Sequence, residues 1–216
     1  MRIITPESHP SNIAVFTAAS FYDALGHADD ANARPGIQAS LWFRQPAPPA
    51  LDSEIKLAQE FERAMNIKTA VTSYNIIMTS RAGINSFGFY KRIPVPDDLL
   101  EPERRGNLET LSRYHGEVQL AVRHSTVGKL RKHHDRDDME ESRKAKHKYR
   151  ILHARHGAGT WAYEADDTQT PWELGSGSYL FLTHRDSPVE KSLLHSNPVF
   201  ELPVTARPRT VDVYDM

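Results

Sequence analysis

The chain has 216 residues, 39% of them hydrophobic and 25% charged, with a formal net charge of −1 and no cysteine. That length suits one domain with elaborations, the composition excludes the disordered, low-hydrophobicity class, and the absence of thiols excludes a structural thiolate zinc site. No run approaches the roughly 18 apolar residues of a membrane span and MRIITPESHPSN lacks a signal-peptide core, so no membrane partner is expected and the setting is read as cytoplasmic, with nucleus or virion also open.

Residues 12–18 read as a buried strand leading into a short helix around 20–25, with Gly26 as its stop. HADDANARPG is expected as a loop and 37–44 (IQASLWFR) as a strand. Pro46, Pro48 and Pro49 make an extended connector. A helix is predicted at about 53–66, where Leu57, Ala58, Phe61, Ala64 and Met65 share a face and Asp52 or Ser53 offers a cap. Residues 69–80 and 86–93 read as a hairpin, with Gly83 and Gly88 serving the turn and a bulge.

After a second proline-rich connector, Asn107 is expected to cap a helix carrying Leu108 and Leu111, and 117–122 (EVQLAV) alternates as a strand. Further strands are predicted at 148–155, 159–165 and 179–185, the first two joined through Gly157 and Gly159. Residues 197–216 hold Pro198, Pro203 and Pro208 among alternating valines and are read as an extended C-terminal arm on a surface or a neighbouring subunit. The expected fold is α+β, an antiparallel sheet or partial barrel built from hairpins with two or three helices. Residues 1–196 would form a single domain with a polar insertion at about 126–148.

The near-neutral total hides a segregation of charge. Residues 123–156 hold 11 Lys+Arg against 5 Asp+Glu, whereas 157–216 hold 4 against 9. Between Arg131 and Lys148 only Met139 and Ala145 are apolar, so this stretch lacks the face a helix needs for packing. It is a solvated charged segment or an element ordered by a partner. Arg131, Lys132, Arg143, Lys144, Lys146, Lys148 and Arg150 would supply phosphate contacts, and Phe87, Phe89, Tyr90, Tyr149 and Trp161 could stack on bases.

Six of the eleven histidines lie in 123–156. His133, His134 and His147 are candidate metal ligands, with Asp135, Asp137 and Asp138 as oxygen donors nearby, although neighbouring residues on a helix diverge by about 100°. His124 and Thr126 are candidate catalytic residues, because His124-Ser125-Thr126 resembles the H-x-T element that two-histidine phosphoesterases carry once in each half. The second copy has no match, since His184 has the wrong spacing to its hydroxyl. The glycine-rich pieces at 155–160 and 173–178 lack a following Lys-Ser/Thr and read as hairpin turns, not phosphate loops. No motif indicates a cofactor.

Residues 149–188 (YRILHARHGAGTWAYEADDTQTPWELGSGSYLFLTHRDSP) resemble a piece of a cupin barrel: strand, Gly-turn, strand, acidic turn, then Leu-Gly-x-Gly before an apolar strand. The resemblance implies a jelly-roll β unit. It departs from metal-binding cupins in lacking their H-x-H pair and later histidine and in placing Ser178 after the second glycine. The function expected from these features is a nucleic-acid-binding component of a larger assembly, most naturally for RNA or single strands, contacting phosphates through 123–156. That favours a binding role over an enzyme. The alternatives are a coat-like assembly subunit, with protein partners or a homo-oligomer, and a small hydrolase or metal-dependent enzyme built on the clustered histidines.

Overall fold

Short strands with side chains alternating between two apolar surroundings dictate a layered molecule. The structure is a computed structural model and describes residues 1–44, 90–94, 102–116, 118–125, 127–128, 132–134, 150–182, 192–201 and 209–216. In chain order the elements are β1 (Arg2–Ile3), β2 (Ile13–Phe16), α1 (Phe21–Asn32), β3 (Ala39–Trp42), β4 (Tyr90–Pro94), α2 (Pro102–His115), β5 (Gln119–Ser125), β6 (Val127–Gly128), β7 (Arg150–His156), β8 (Trp161–Ala162), β9 (Trp172–Glu173), β10 (Tyr179–Leu182), β11 (His195–Ser196), β12 (Phe200–Glu201) and β13 (Arg209–Asp215).

Seven strands form one sheet in the order β2-β3-β10-β7-β13-β5-β4, and four form a second in the order β1-β9-β8-β11. Each contains one parallel ladder, β2 with β3 and β1 with β9. Mixed sheets with two helices among the described residues make an α+β arrangement. The two sides of the larger sheet are sorted by the two-residue period of its strands. Along β10, Leu180 and Leu182 join Ala39, Leu41, Leu152, Val211 and Val213 against Ala162, Trp172 and Leu174 of the smaller sheet. Tyr179 and Phe181 face the other way, meeting Trp42, Ile151 and Tyr214 under α1 and α2.

The helices differ from expectation in instructive ways. Ser20 caps α1, its hydroxyl accepting from the Asp23 N–H at 3.1 Å, but Gly26 does not stop it. Phe21, Ala24, Leu25, Ala28 and Ala31 are all buried. That stripe recurs at helical spacing and outweighs the roughly 1 kcal/mol that glycine costs inside a helix, so the expected loop HADDAN is helical up to Asn32. In α2 the start is Pro102, whose missing N–H is harmless in the first turn, and Asn107 is no cap. It lies buried mid-helix and donates to the Tyr179 and Tyr214 hydroxyls at 3.0 and 3.2 Å.

The extended C-terminal arm is corrected for its last segment. Residues 209–215 form β13, paired on one side with β7 and on the other with β5, and each of its seven residues is buried. Beyond Pro208 no proline interrupts the ladder, and both faces of RTVDVYD are covered. No helix among the described residues is long and apolar enough to cross a membrane. The expected helix at 53–66, most of the 69–93 hairpin and most of the polar insertion lie outside the described residues.

Candidate metal centre

His195 is opposed to Ala162 across the β11–β8 ladder. Directly opposed residues share one face of a sheet, and Ala162 belongs to the core between the sheets. His195 therefore faces inward, and it is 4% exposed. Its Nδ1 lies 3.1 Å from the Leu193 carbonyl. A neutral imidazole makes that contact by donating from Nδ1, which leaves the lone pair on Nε2.

His133 reaches the same place from a distant part of the chain. Its N–H donates to the His195 carbonyl at 2.9 Å and its carbonyl accepts from the His195 N–H at 3.1 Å, an isolated antiparallel bridge. The two ring centroids are 4.4 Å apart at 49°. His134 bonds instead through Nδ1 to the Ser192 carbonyl, 2.8 Å away, so it fastens the 132–134 segment to the chain leading into β11.

A cation enters the same inter-sheet space from the opposite sheet. Arg209 stands on β13 two and four residues before Val211 and Val213, both members of the inter-sheet core. Its Nε donates to the Ala158 carbonyl and its Nη2 to the Thr160 hydroxyl, each at 2.8 Å. Thr160 continues the β8–β9 ladder, its carbonyl accepting from Leu174 N–H at 2.9 Å, and so shares the inward face of Leu174 and Ala162.

The two histidines suit a divalent first-row ion. With metal–nitrogen bonds of ~2.1 Å, two imidazoles set at right angles on one ion have centres about 4.5 Å apart, close to the separation here. Imidazole is a preferred ligand for iron, zinc and copper. Among the described residues no group of three or more His, Asp or Glu is placed to hold a metal ion. Asp135, two positions after His133, lies outside them.

On the far face of the larger sheet, Trp42, Tyr179, His153 and Asp212 form a row across four strands. Arg104 of α2 meets Asp212 through Nε at 2.9 Å and Nη2 at 2.8 Å, both side chains fully buried. Burial alone would raise the Asp212 carboxyl, but the guanidinium beside it, joined by Arg155, brings it below the usual carboxylate range. His153 stacks on Tyr179 with centroids 3.8 Å apart. Burial pushes its imidazole down to about 4, against the pull of Asp212. This network joins α2 to the sheet, on the side away from the histidine pair.

Sequence reasoning reached His133 but missed His195 and Arg209, which stand 62 and 76 positions further on. The available signal was the H-x-D spacing of His133 and Asp135 with a later histidine. Of the proposed phosphate contacts, Lys132 extends over the Tyr163 ring, 4.5 Å from its centroid, and donates to the Thr168 carbonyl. Arg150 pairs with Asp215 at 2.6 Å. Arg131, Arg143, Lys144, Lys146 and Lys148 lie outside the described residues, as do His147, Thr126, Phe87, Phe89 and Tyr149. The backbone of His124 is in β5, opposite Lys91 and Thr210. The 155–160 segment joins β7 to β8 and 173–178 joins β9 to β10, so both glycine-rich pieces connect strands.

No family model and no curated protein matches the sequence. Among solved structures, a prolyl-4-hydroxylase from Pseudomonas putida aligns over 87% of this chain and 94% of its own, with 14% identity and a TM-score of 0.48. A full-length Neurospora crassa protein in complex with alpha-KG aligns over 93% and 83%, with 12% identity and a TM-score of 0.49. JOX2, in complex with 2OG, Fe and JA, aligns over 99% and 77%, with 13% identity and a TM-score of 0.48. The expectation of a nucleic-acid-binding, RNA-contacting assembly component is corrected here. The similar structures include a prolyl-4-hydroxylase, a 2OG-Fe(II) oxygenase family protein from Caulobacter crescentus and a protein in complex with 2OG and Fe, and Lys132 and Arg150 are engaged within the chain.

Proposed function

We propose that this chain is a mononuclear non-haem iron oxygenase that takes 2-oxoglutarate as co-substrate, with His133, Asp135 and His195 as its metal-binding set. The observation that carries the reading is the pair of His133 and His195, with centroids 4.4 Å apart and His195 on the inner face of the smaller sheet. In sequence a carboxylate, Asp135, follows two positions after the first histidine. Two histidines and one carboxylate, with the remaining positions open, are the donor set of non-haem Fe(II) oxygenases.

His195 would bind through Nε2, because the Leu193 carbonyl holds its Nδ1–H. Ferrous iron bound there supplies the redox chemistry with dioxygen. Arg209 would receive the co-substrate's distal carboxylate as a planar two-donor fork. Ala162, Leu174 and Leu193 belong to the apolar core around this space and would keep bulk water from it. Two facing sheets also support a barrel-like unit of jelly-roll type, the architecture that the 149–188 resemblance implies.

The test is anaerobic titration of the full chain with Fe(II), and with Mn(II) as a redox-silent substitute, followed by oxygen-dependent consumption of 2-oxoglutarate. Wild type is expected to bind one ion, and His195→Ala and His133→Ala to lose binding by at least 10-fold. A wild-type chain that binds neither ion would refute the reading.

A further inference from the structure

We propose that the 157–160 loop is a cradle that aims Arg209, and that Thr160 is a positioning residue for the distal carboxylate of the co-substrate. This rests on the oxygenase reading. Three of the loop's four residues touch the arginine. Gly157 has φ 77°, and a Cβ there would sit 2.9 Å from the Arg209 Cα. Only glycine combines that backbone conformation with so close an approach. The Ala158 carbonyl takes the Nε–H and the Thr160 hydroxyl takes an Nη2–H.

The other side of the loop is equally fixed. A Cβ on Gly159 would lie 1.7 Å from the Leu174 carbonyl oxygen, and the Gly159 N–H donates to the Glu173 carboxylate at 3.3 Å. The loop is thus held between the start of β13 and the end of β9, where the chain crosses from the larger sheet to the smaller. An arginine side chain carries roughly 2 kcal/mol of rotamer entropy, and two fixed bonds remove much of that freedom before any ligand arrives. Both acceptors are neutral oxygens on one short loop, so these two bonds set the orientation of the guanidinium. That is preorganisation toward an anion. Because Thr160 lies two residues before Ala162, which opposes His195, the cradle and the histidine pair are referenced to the same strand.

The test is isothermal titration of Mn(II)-loaded full-length chain with 2-oxoglutarate, comparing wild type, Thr160→Val and Thr160→Ser. Loss of one hydrogen bond to a charged group predicts roughly 10-fold weaker binding for Thr160→Val. Thr160→Ser, which keeps the hydroxyl, should stay within about 2-fold of wild type. Mn(II) affinity should be equal in all three. 2-Oxobutyrate, which lacks the distal carboxylate, should bind wild type and Thr160→Val alike. If Thr160→Val binds Mn(II) and 2-oxoglutarate as wild type does, or Thr160→Ser is as weak as Thr160→Val, the cradle is wrong and the oxygenase reading stands. If wild type binds neither Mn(II) nor 2-oxoglutarate, both fall.

Discussion

Replacing His153 by phenylalanine tests the buried polar row directly. Phenylalanine keeps a ring against Tyr179, with which His153 stacks at 3.8 Å and 13°, and removes the one titrating group of that row expected to change charge between pH 4 and 7. Among the described residues Nδ1 has no hydrogen-bond partner, so the substitution should cost no more than about 1 kcal/mol at neutral pH. The pH dependence should change far more. Burial lowers the imidazole from 6.5 to about 4. Above pH 6.5 the folded and unfolded chains are both neutral at this site. Between 6.5 and about 4 the unfolded chain binds a proton that the fold does not, so stability falls as pH falls, and below 4 the deficit levels off. The full gap corresponds to roughly 3 kcal/mol, and most of it has accrued by pH 4.5. Urea unfolding at pH 7.5 and 4.5 should therefore show wild type losing roughly 2–3 kcal/mol more than His153→Phe, because carboxylate effects common to both cancel. Parallel pH profiles for the two proteins would refute the argument that burial keeps His153 neutral.

Other substitutions probe different parts of the frame. Arg104→Met leaves the fully buried Asp212 without its bidentate partner and should cost about 3–5 kcal/mol, whereas the double variant Arg104→Met/Asp212→Leu should recover much of that loss, both read from urea midpoints. Gly159→Ala places a methyl 1.7 Å from the Leu174 carbonyl oxygen. It should forfeit soluble folded protein or lower Tm sharply. Gly26→Ala in α1 meets nothing within 4 Å and should raise stability by about 0.5–1 kcal/mol, visible as a higher Tm.

Much of the frame was legible because it depends on local pattern. The strands at 13–16, 39–42, 150–156 and 179–182 coincide with apolar, β-branched or aromatic runs, and the helix expected around 20–25 falls at the start of α1. What misled was an element whose neighbours decide its state. Gly26 and the polar HADDAN read locally as an end and a loop, yet Ala28 and Ala31 continue a stripe that needs the larger sheet beneath it. Asn107 has the chemistry of a cap, and only two tyrosine hydroxyls from β10 and β13 make it a core residue.

The candidate site divides in the same way. His133 and Asp135 are visible as ligand types at a short spacing, and the basic surroundings drew the reading toward phosphate instead. His195 and Arg209 carry no local mark of their roles, because their approach to His133 and Thr160 is set by which strands pair across gaps of 62 and 49 residues. The sequence by itself determined the α+β class, the strand-forming segments, and the absence of thiol chemistry. Only the tertiary structure decided that the C-terminal segment is an inner strand, that a bridge brings His133 against His195, and that the 157–160 turn holds an arginine. Hydrophobic period reports which face of a segment is buried. Which segment it is buried against follows from long-range pairing, which no local window contains.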